Sequence, residues 1–283
     1  MNNINKQRMN DIDSLPNLVL RAEMLSNEGI GDVFKKISNI FTSKTSSIAN
    51  YFTAKNKDLK EINITARPLT KLTKVVNNIA KRIEYSTYKD YEVGSAMGLN
   101  TYLLDTANLI EACLLDSNKK LLDSLDALDT LISKIISDKD YILSLRADKM
   151  PDISGYLLSD NLDKIIDPND RNDQFKLGKL YPNVKSIYDT QDKLLKVNRL
   201  INKSDLELIS GIIEKISSKV DTLKEQVDNG TITKASKNVL IGLADALESN
   251  ATYITNIIAI YHVLNIINGT HIASIDIMKK LTQ

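Results

Sequence analysis

The sequence predicts an all-α fold, a bundle of long antiparallel helices with an irregular, loop-rich insertion around residues 147–183. Three observations predict it. From Leu99 to about Leu145 the chain runs without proline or further glycine, and every seventh residue from Ala107 (Leu114, Leu121, Leu128, Ile135, Ile142) is aliphatic. Such spacing marks a helix that must lay an apolar stripe against other helices. Helical periodicity recurs on both sides of this stretch, over Leu69–Ile83 and from Leu206 to Ile267. The turn signals between these patterns are short, and short connections between long helices imply antiparallel neighbours.

Composition sets the outer limits. The 283 residues are 42% hydrophobic and 26% charged, an ordinary globular balance with enough length to bury a sizeable core. With 37 basic and 36 acidic residues the net charge is +1, which provides no general attraction to nucleic acid or anionic lipid. The single cysteine, Cys113, excludes an internal disulfide framework and sits among apolar residues as a small core side chain. No run of 18 apolar residues occurs. Tyr253–Ile267 comes nearest and is interrupted by Asn256, His262 and Asn265, a pattern suited to a buried core helix.

In chain order, residues 1–28 are polar, Asn-rich and broken by Pro16, and read as a tail or pro-segment. Leu18-Val19-Leu20 is too short for the core of a secretory signal. Residues 29–67 form a second unit. Ile30, Val33, Phe34, Ile37, Ile40, Phe41, Ile48, Tyr51 and Phe52 share one helical face, with Lys35, Lys36 and Lys44 largely off it and an expected break near Ser43–Ser47. Such a basic amphipathic helix can cover its own core, enter a partner's groove or lie on a membrane surface. Within it Ile30, Val33, Phe34, Ile37 and Phe41 are the candidate partner or membrane contacts. Lys55–Arg67 reads as a linker or frayed end.

Residues 68–283 are the expected bundle. Pro68 suits a first helical turn, and the helix it opens runs through Ile83 toward Tyr85, Tyr88 and Tyr91, whose spacing suits packing at a helix end. Gly94–Gly98 separates it from the long helix and lacks the Gly-Lys-Ser/Thr ending of a phosphate loop. Pro151, Gly155, Pro168, Gly178 and Pro182 punctuate the insertion and bracket a short helix near Tyr156–Ile166. Asp167–Asp173 fails as a calcium loop, since Arg171, Asn172 and Gly178 occupy positions where a ligand, the glycine and the bidentate Glu belong. Val184–Ile201 forms a helix. Ser204 with Glu207 is the expected capping box of the next, which Asn229-Gly230 closes. A last pattern opens at Thr233, and Gly269 is expected to interrupt it before a terminal turn to Leu281.

Catalytic signals are weak. His262 and His271 have no cysteine or His-Glu-x-x-His partner, so neither a metal nor another cofactor is expected, and His262, on an apolar helix, reads as a core or rim residue. No Gly-x-Ser-x-Gly elbow or dinucleotide loop is present. Asp123 and Asp126 read as part of a solvated helix face rather than a glycosidase pair. Five Asn-x-Ser/Thr triplets reflect Asn-rich composition rather than glycosylation. The expectation is a protein that is not an enzyme.

One stretch carries a family resemblance. Leu25-Ser26-Asn27-Glu28-Gly29 resembles the processing motif of the prohead protease of giant (jumbo) tailed bacteriophages: a small residue two positions before a Glu, with cleavage after the Glu. Internal head proteins of such phages carry N-terminal pro-segments that are removed during maturation. The resemblance implies a virion structural protein of the capsid interior, made in the host cytoplasm, with Ser26, Glu28 and Gly29 as the processing site. Other virion proteins and the prohead protease would be its partners, and oligomerisation is compatible with this. Ala246-Leu247-Glu248 also satisfies the motif, but inside a predicted helix. Two other functions fit the residues: a membrane-active helical protein of the cytolysin type, and a helical binding module directed at a host protein.

Overall fold

The computed structural model describes residues 30–60, 66–94, 102–115, 117–138, 140–151, 153, 174–201, 203–229 and 237–283. The fold is all-α with one small sheet. Its long helices are α1 (Ile30–Lys60), α2 (Ala66–Ala80), α4 (Leu103–Leu114), α5 (Ser117–Ser137), α7 (Val184–Leu200), α8 (Lys203–Asp228) and α9 (Lys237–Leu281). Between them lie the single turns α3 (Tyr85–Tyr88) and α6 (Leu177–Leu180), and strands β1 (Glu92–Gly94) and β2 (Gln174–Lys176), which pair antiparallel with Val93 opposite Phe175. Two 3-10 turns, Tyr141–Ser144 and Ala147–Lys149, follow α5.

The central element is α9. It is 45 residues long, about 67 Å at 1.5 Å per residue, and packs against α1, α2, α4, α5, β1 and the second 3-10 turn. Its apolar residues occur all round the helix, the pattern of a rod enclosed by others, and Leu240, Leu243, Leu247, Ile254, Ile257, Leu264, Ile267 and Ile275 are buried along its length. Lys44 of α1 meets Asp245 and Glu248, whereas Tyr181 and Asn198 meet His271 and Asn268. α8 packs against α1 and α5, and α7 against α2 and α4, so two helix groups divide the length of α9 between them.

The predicted stripe is buried as read. Ala107, Leu114, Leu121, Leu128, Ile135 and Ile142 are all in the core. The helix expected to carry it unbroken does not exist: α4 ends at Leu114, Leu115 is extended, and α5 starts at Ser117, whose hydroxyl bonds the Cys113 carbonyl. A straight helix drifts about 20° per heptad from a seven-residue repeat, so five heptads would turn the stripe about 100° away from its neighbours. Breaking the rod lets α4 face α7 while α5 faces α8.

Several expected boundaries move. The break near Ser43–Ser47 is absent and α1 continues to Lys60, so Lys55–Lys60 is helix rather than linker, with Phe52 and Leu59 held in the core. The helix from Pro68 stops at Ala80. α8 begins at Lys203, placing Ser204 within the first turn rather than at the N-cap. Among the described residues a capping box lies at Asn183, whose side chain accepts from the Ser186 N–H at 2.9 Å while its own N–H donates to the Ser186 hydroxyl. Gly269 does not interrupt α9, because a helical path costs a single glycine only about 1 kcal/mol and the flanking turns are buried.

The helices are not uniformly antiparallel. Lys44 and Tyr51 of α1 meet Asp245 and Thr255 of α9 in rising order, as Asp129 and Ile136 of α5 meet Lys219 and Gln226 of α8, so both pairs run in the same direction. Short loops dictate direction only for consecutive helices, and these are not consecutive. Of the insertion, residues 174–180 form β2 and α6, while residues 154–173, including Tyr156–Ile166 and the acidic turn, lie outside the described residues.

Candidate functional site

A buried chain of titratable side chains lies around the C-terminal half of α9. Tyr88 on α3 donates its hydroxyl to the Tyr181 carbonyl at 3.1 Å, and the Tyr181 hydroxyl lies 2.7 Å from Nδ1 of His271. Nε2 of His271 is 2.9 Å from the side-chain oxygen of Gln191, whose amide nitrogen donates to the Leu69 carbonyl at 2.7 Å. Because that nitrogen must face a carbonyl, its oxygen faces the imidazole. Nε2 therefore carries the proton and Nδ1 accepts from Tyr181. Beside this chain, Asn198 and Asn268 exchange two amide hydrogen bonds at 3.1 and 3.0 Å.

Burial decides the chemistry of this cluster. His271 is 0% exposed, and desolvation pushes its pKa down to about 3, so it is a neutral imidazole. Burial likewise pushes the Tyr88 phenol up to about 12 and the Tyr181 phenol above its ordinary value. Both imidazole nitrogens are occupied by protein partners. The arrangement joins α2, α3, α7 and α9 in one register, as a satisfied polar network in a core does.

The surface provides a different kind of site. An open groove of about 610 Å³ runs between α5 and the 3-10 segment. Leu131, Tyr141, Leu145 and Pro151 contribute its apolar lining, and Asp123, Asp126, Lys134 and Lys149 its charges. The Lys134 ammonium lies 5.7 Å from the Tyr141 ring centre. Such an amphiphilic recess suits protein contact better than enclosure of a small substrate.

Other residues singled out in the sequence are placed as follows. Ser26, Glu28 and Gly29 lie outside the described residues. Ile30, Val33, Phe34, Ile37 and Phe41 lie on α1, with their side-chain surroundings outside the description. The following turns of α1 do pack inward: Ile48, Ala49 and Phe52 are buried, and Lys44 is held by Asp245 at 2.6 Å and Glu248 at 2.8 Å. Burial pulls the Lys44 pKa down, but those two carboxylates outweigh it and leave it raised.

His262, read as a core or rim residue, is exposed, because α9 turns it away from its neighbours, whereas His271, which the sequence reading did not place, is enclosed. Asp123 and Asp126 are exposed. Cys113 is buried and forms no disulfide. Tyr88 is buried against the edge of Tyr85, ring centres 5.4 Å apart, while Tyr85 and Tyr91 are exposed. Asn250 and Asn268, from two of the Asn-x-Ser/Thr triplets, are buried on α9.

Sequence reasoning missed Tyr181, Gln191 and Asn198. For Gln191 and Asn198 the available signal was polar residues falling repeatedly on the apolar face of α7; Tyr181, ahead of that helix, carried none. Among the described residues, no group of three His, Cys, Asp or Glu side chains is arranged to hold a metal ion. Among the described residues one helix, Asn238–Leu281 within α9, is long and apolar enough to cross a membrane, and 61% of its most apolar window is buried in the bundle.

These features define the class of the protein as an all-α helical bundle with a closed polar core and an amphiphilic surface groove. The chain matches no family model, and neither curated proteins nor solved structures show a match to it.

Proposed function

We propose that this chain is a structural protein of a giant tailed phage, packaged in the head interior and acting through helical surfaces rather than through catalysis. The observation that carries the surface-contact reading is the open groove on α5, with its apolar lining and charges of both signs. The phage assignment is supported by Leu25–Gly29, which resembles a prohead-protease site ahead of the amphipathic helix α1. Cleavage after Glu28 would leave every described helix in the mature chain.

Mass spectrometry of purified virions tests the proposal. We expect the protein in the particle with Gly29 as its N-terminus. Absence from the particle would overturn the assignment, and intact Met1–Glu28 peptides there would overturn the processing.

A second reading, a membrane-active helical protein, draws support from the length and apolar character of α9. It requires α9 to leave the bundle. Leakage of dye from liposomes tests it, with Phe34→Asp and Phe41→Asp as the variants that should abolish leakage if α1 makes the first contact. A host-directed binding module would instead be recognised by a specific host protein retained in pull-down.

A further inference from the structure

The outer face of α2 carries charge of one sign. Lys71, Lys74 and Asn78 are exposed on it, and Lys81 and Arg82 follow, also exposed, in a closing turn where the Ile83 N–H still bonds the Ile79 carbonyl at 2.9 Å. At 3.6 residues per turn these five fall within an arc of about 100°, and no other residue of 68–82 lies in it. The opposite side, Leu69, Val76, Ile79 and Ile83, is buried in the bundle. From Ala66 to Ile83 the chain holds no acid, so the first turn lacks the carboxylate that a helix dipole favours. Other lysines meet carboxylates: Lys44, Lys193 and Lys219 each reach one at 2.6 Å. Among the described residues Lys71, Lys74, Lys81 and Arg82 have no ion-pair partner. The elements packed on α2 do not supply one. On α7 Asp189 and Asp192 are taken by Lys185 and Lys196, and on α9 Asp276 is followed by Lys279 and Lys280. Glu84, the first acid beyond the stripe, sits where the backbone has become extended.

We propose that this face binds the phosphate backbone of duplex DNA without reading its sequence. Its four cations spread over about 16 Å of helix, a length of duplex that carries roughly ten phosphates. Asn78 adds an amide donor of the kind that bonds phosphate oxygens. The whole-chain charge of +1 supplies no long-range attraction, so the contact rests on this local set. A lipid surface fits less well, because a helix lying on a bilayer buries its apolar face there, and that face of α2 is already covered by the core. A protein partner also fits less well, since the centre of such an interface is depleted in lysine. Single strands are held by stacking bases on aromatic rings, and the stripe contains none. A duplex keeps its bases stacked inside and turns phosphates outward, which is what a face of cations can hold. The inference goes beyond the virion reading and stands on α2 alone, so either can fail without the other.

Fluorescence anisotropy of a short labelled duplex of random sequence, titrated with the full chain, tests it. We expect saturable binding with a Kd on the order of 10⁻⁵ M at physiological salt, weakening with salt at a log–log slope of about −3.6 for four phosphate contacts. Lys71→Gln, Lys74→Gln, Lys81→Gln and Arg82→Gln combined should bind about tenfold more weakly or worse, with little salt dependence left. A control with the same change in charge, Lys119→Gln, Lys120→Gln, Lys149→Gln and Lys215→Gln on exposed lysines elsewhere, should bind like wild type. If the combined stripe variant loses the wild-type circular-dichroism spectrum, its four single variants replace it, and each should reduce the slope by about one. Unlabelled single strand and phosphatidylglycerol vesicles, at equal phosphate, should compete more weakly than unlabelled duplex. No binding even at about 50 mM salt, a stripe variant that binds like wild type, a control that weakens as much, or stronger competition by single strand or vesicles would each overturn the inference.

Discussion

The side-chain oxygen of Gln191 lies 2.9 Å from Nε2 of His271, and this contact places the imidazole proton. Gln191 is itself oriented by the Leu69 carbonyl, so a backbone atom of α2 selects the tautomer of a histidine on α9. Through Gln191 the neutral imidazole, with both nitrogens occupied, ties α9 to α7 and α2, and the same lock makes the fold sensitive to acid.

The pH dependence has a definite sign. Burial holds His271 near pKa 3 in the fold, against about 6.5 when the chain is unfolded. Between those values the unfolded chain binds a proton that the native chain refuses. Stability from this group is therefore complete above about pH 6.5 and lost as pH falls toward 3, a loss on the order of 4 kcal/mol. Urea midpoints measured at pH 7 and pH 5 should show a drop over a window in which most carboxylates stay ionised. His271→Leu should be less stable at pH 7, because Tyr181 and Gln191 lose their partner, and should show a smaller drop between the two pH values.

Glycine substitutions should split by position. A Cβ on Gly178 would come within 2.9 Å of the Lys89 carbonyl and 3.0 Å of the Tyr85 hydroxyl, so Gly178→Ala must push α6 away from the segment after α3. We expect a loss of about 1 to 3 kcal/mol. A Cβ on Gly211 or Gly269 meets nothing within 4 Å. Gly211→Ala and Gly269→Ala should each stabilise by about 0.5 to 1 kcal/mol through helix propensity. Thermal denaturation of the three variants checks both directions at once.

The stripe and the break should differ in cost. Leu128 is fully buried on α5, and Leu128→Ala should destabilise by about 2 to 5 kcal/mol. Leu115, between α4 and α5, is 60% exposed, and Leu115→Ser should stay within about 0.5 kcal/mol of wild type. Equal losses at the two positions in chemical denaturation would contradict the break between α4 and α5.

Lys44 joins α1 to α9 through two carboxylates with its side chain 13% exposed. Lys44→Met should cost about 1 to 2 kcal/mol, since Asp245 and Glu248 would then face each other without a cation. Lys44→Glu should cost more. Hydrogen exchange should report the change first along Ser43–Tyr51, where α1 meets this part of α9.

Much of the fold was legible because burial and periodicity are local properties of the chain. The heptad positions from Ala107 to Ile142, the stripe of α8 and the boundaries of α7 follow from which residues avoid water. The small sheet was not legible: β1 and β2 are three residues each and are held by partners some 80 positions away. The interruption after Leu114 was equally hidden, since no glycine or proline marks it. His271 drew attention only as a failed metal ligand, because its partners Tyr181 and Gln191 lie about 80 to 90 residues earlier.

By itself the sequence determined the helical class, the residues that line the core and the sign pattern of each helix surface, all of which depend on neighbours within a turn or two. Only the tertiary structure decided that α9 is the axis, that two helix pairs run in the same direction, and that His271 rather than His262 is enclosed. Those outcomes depend on which distant faces meet, and a repeat of apolar residues specifies that a face must be covered without specifying by what.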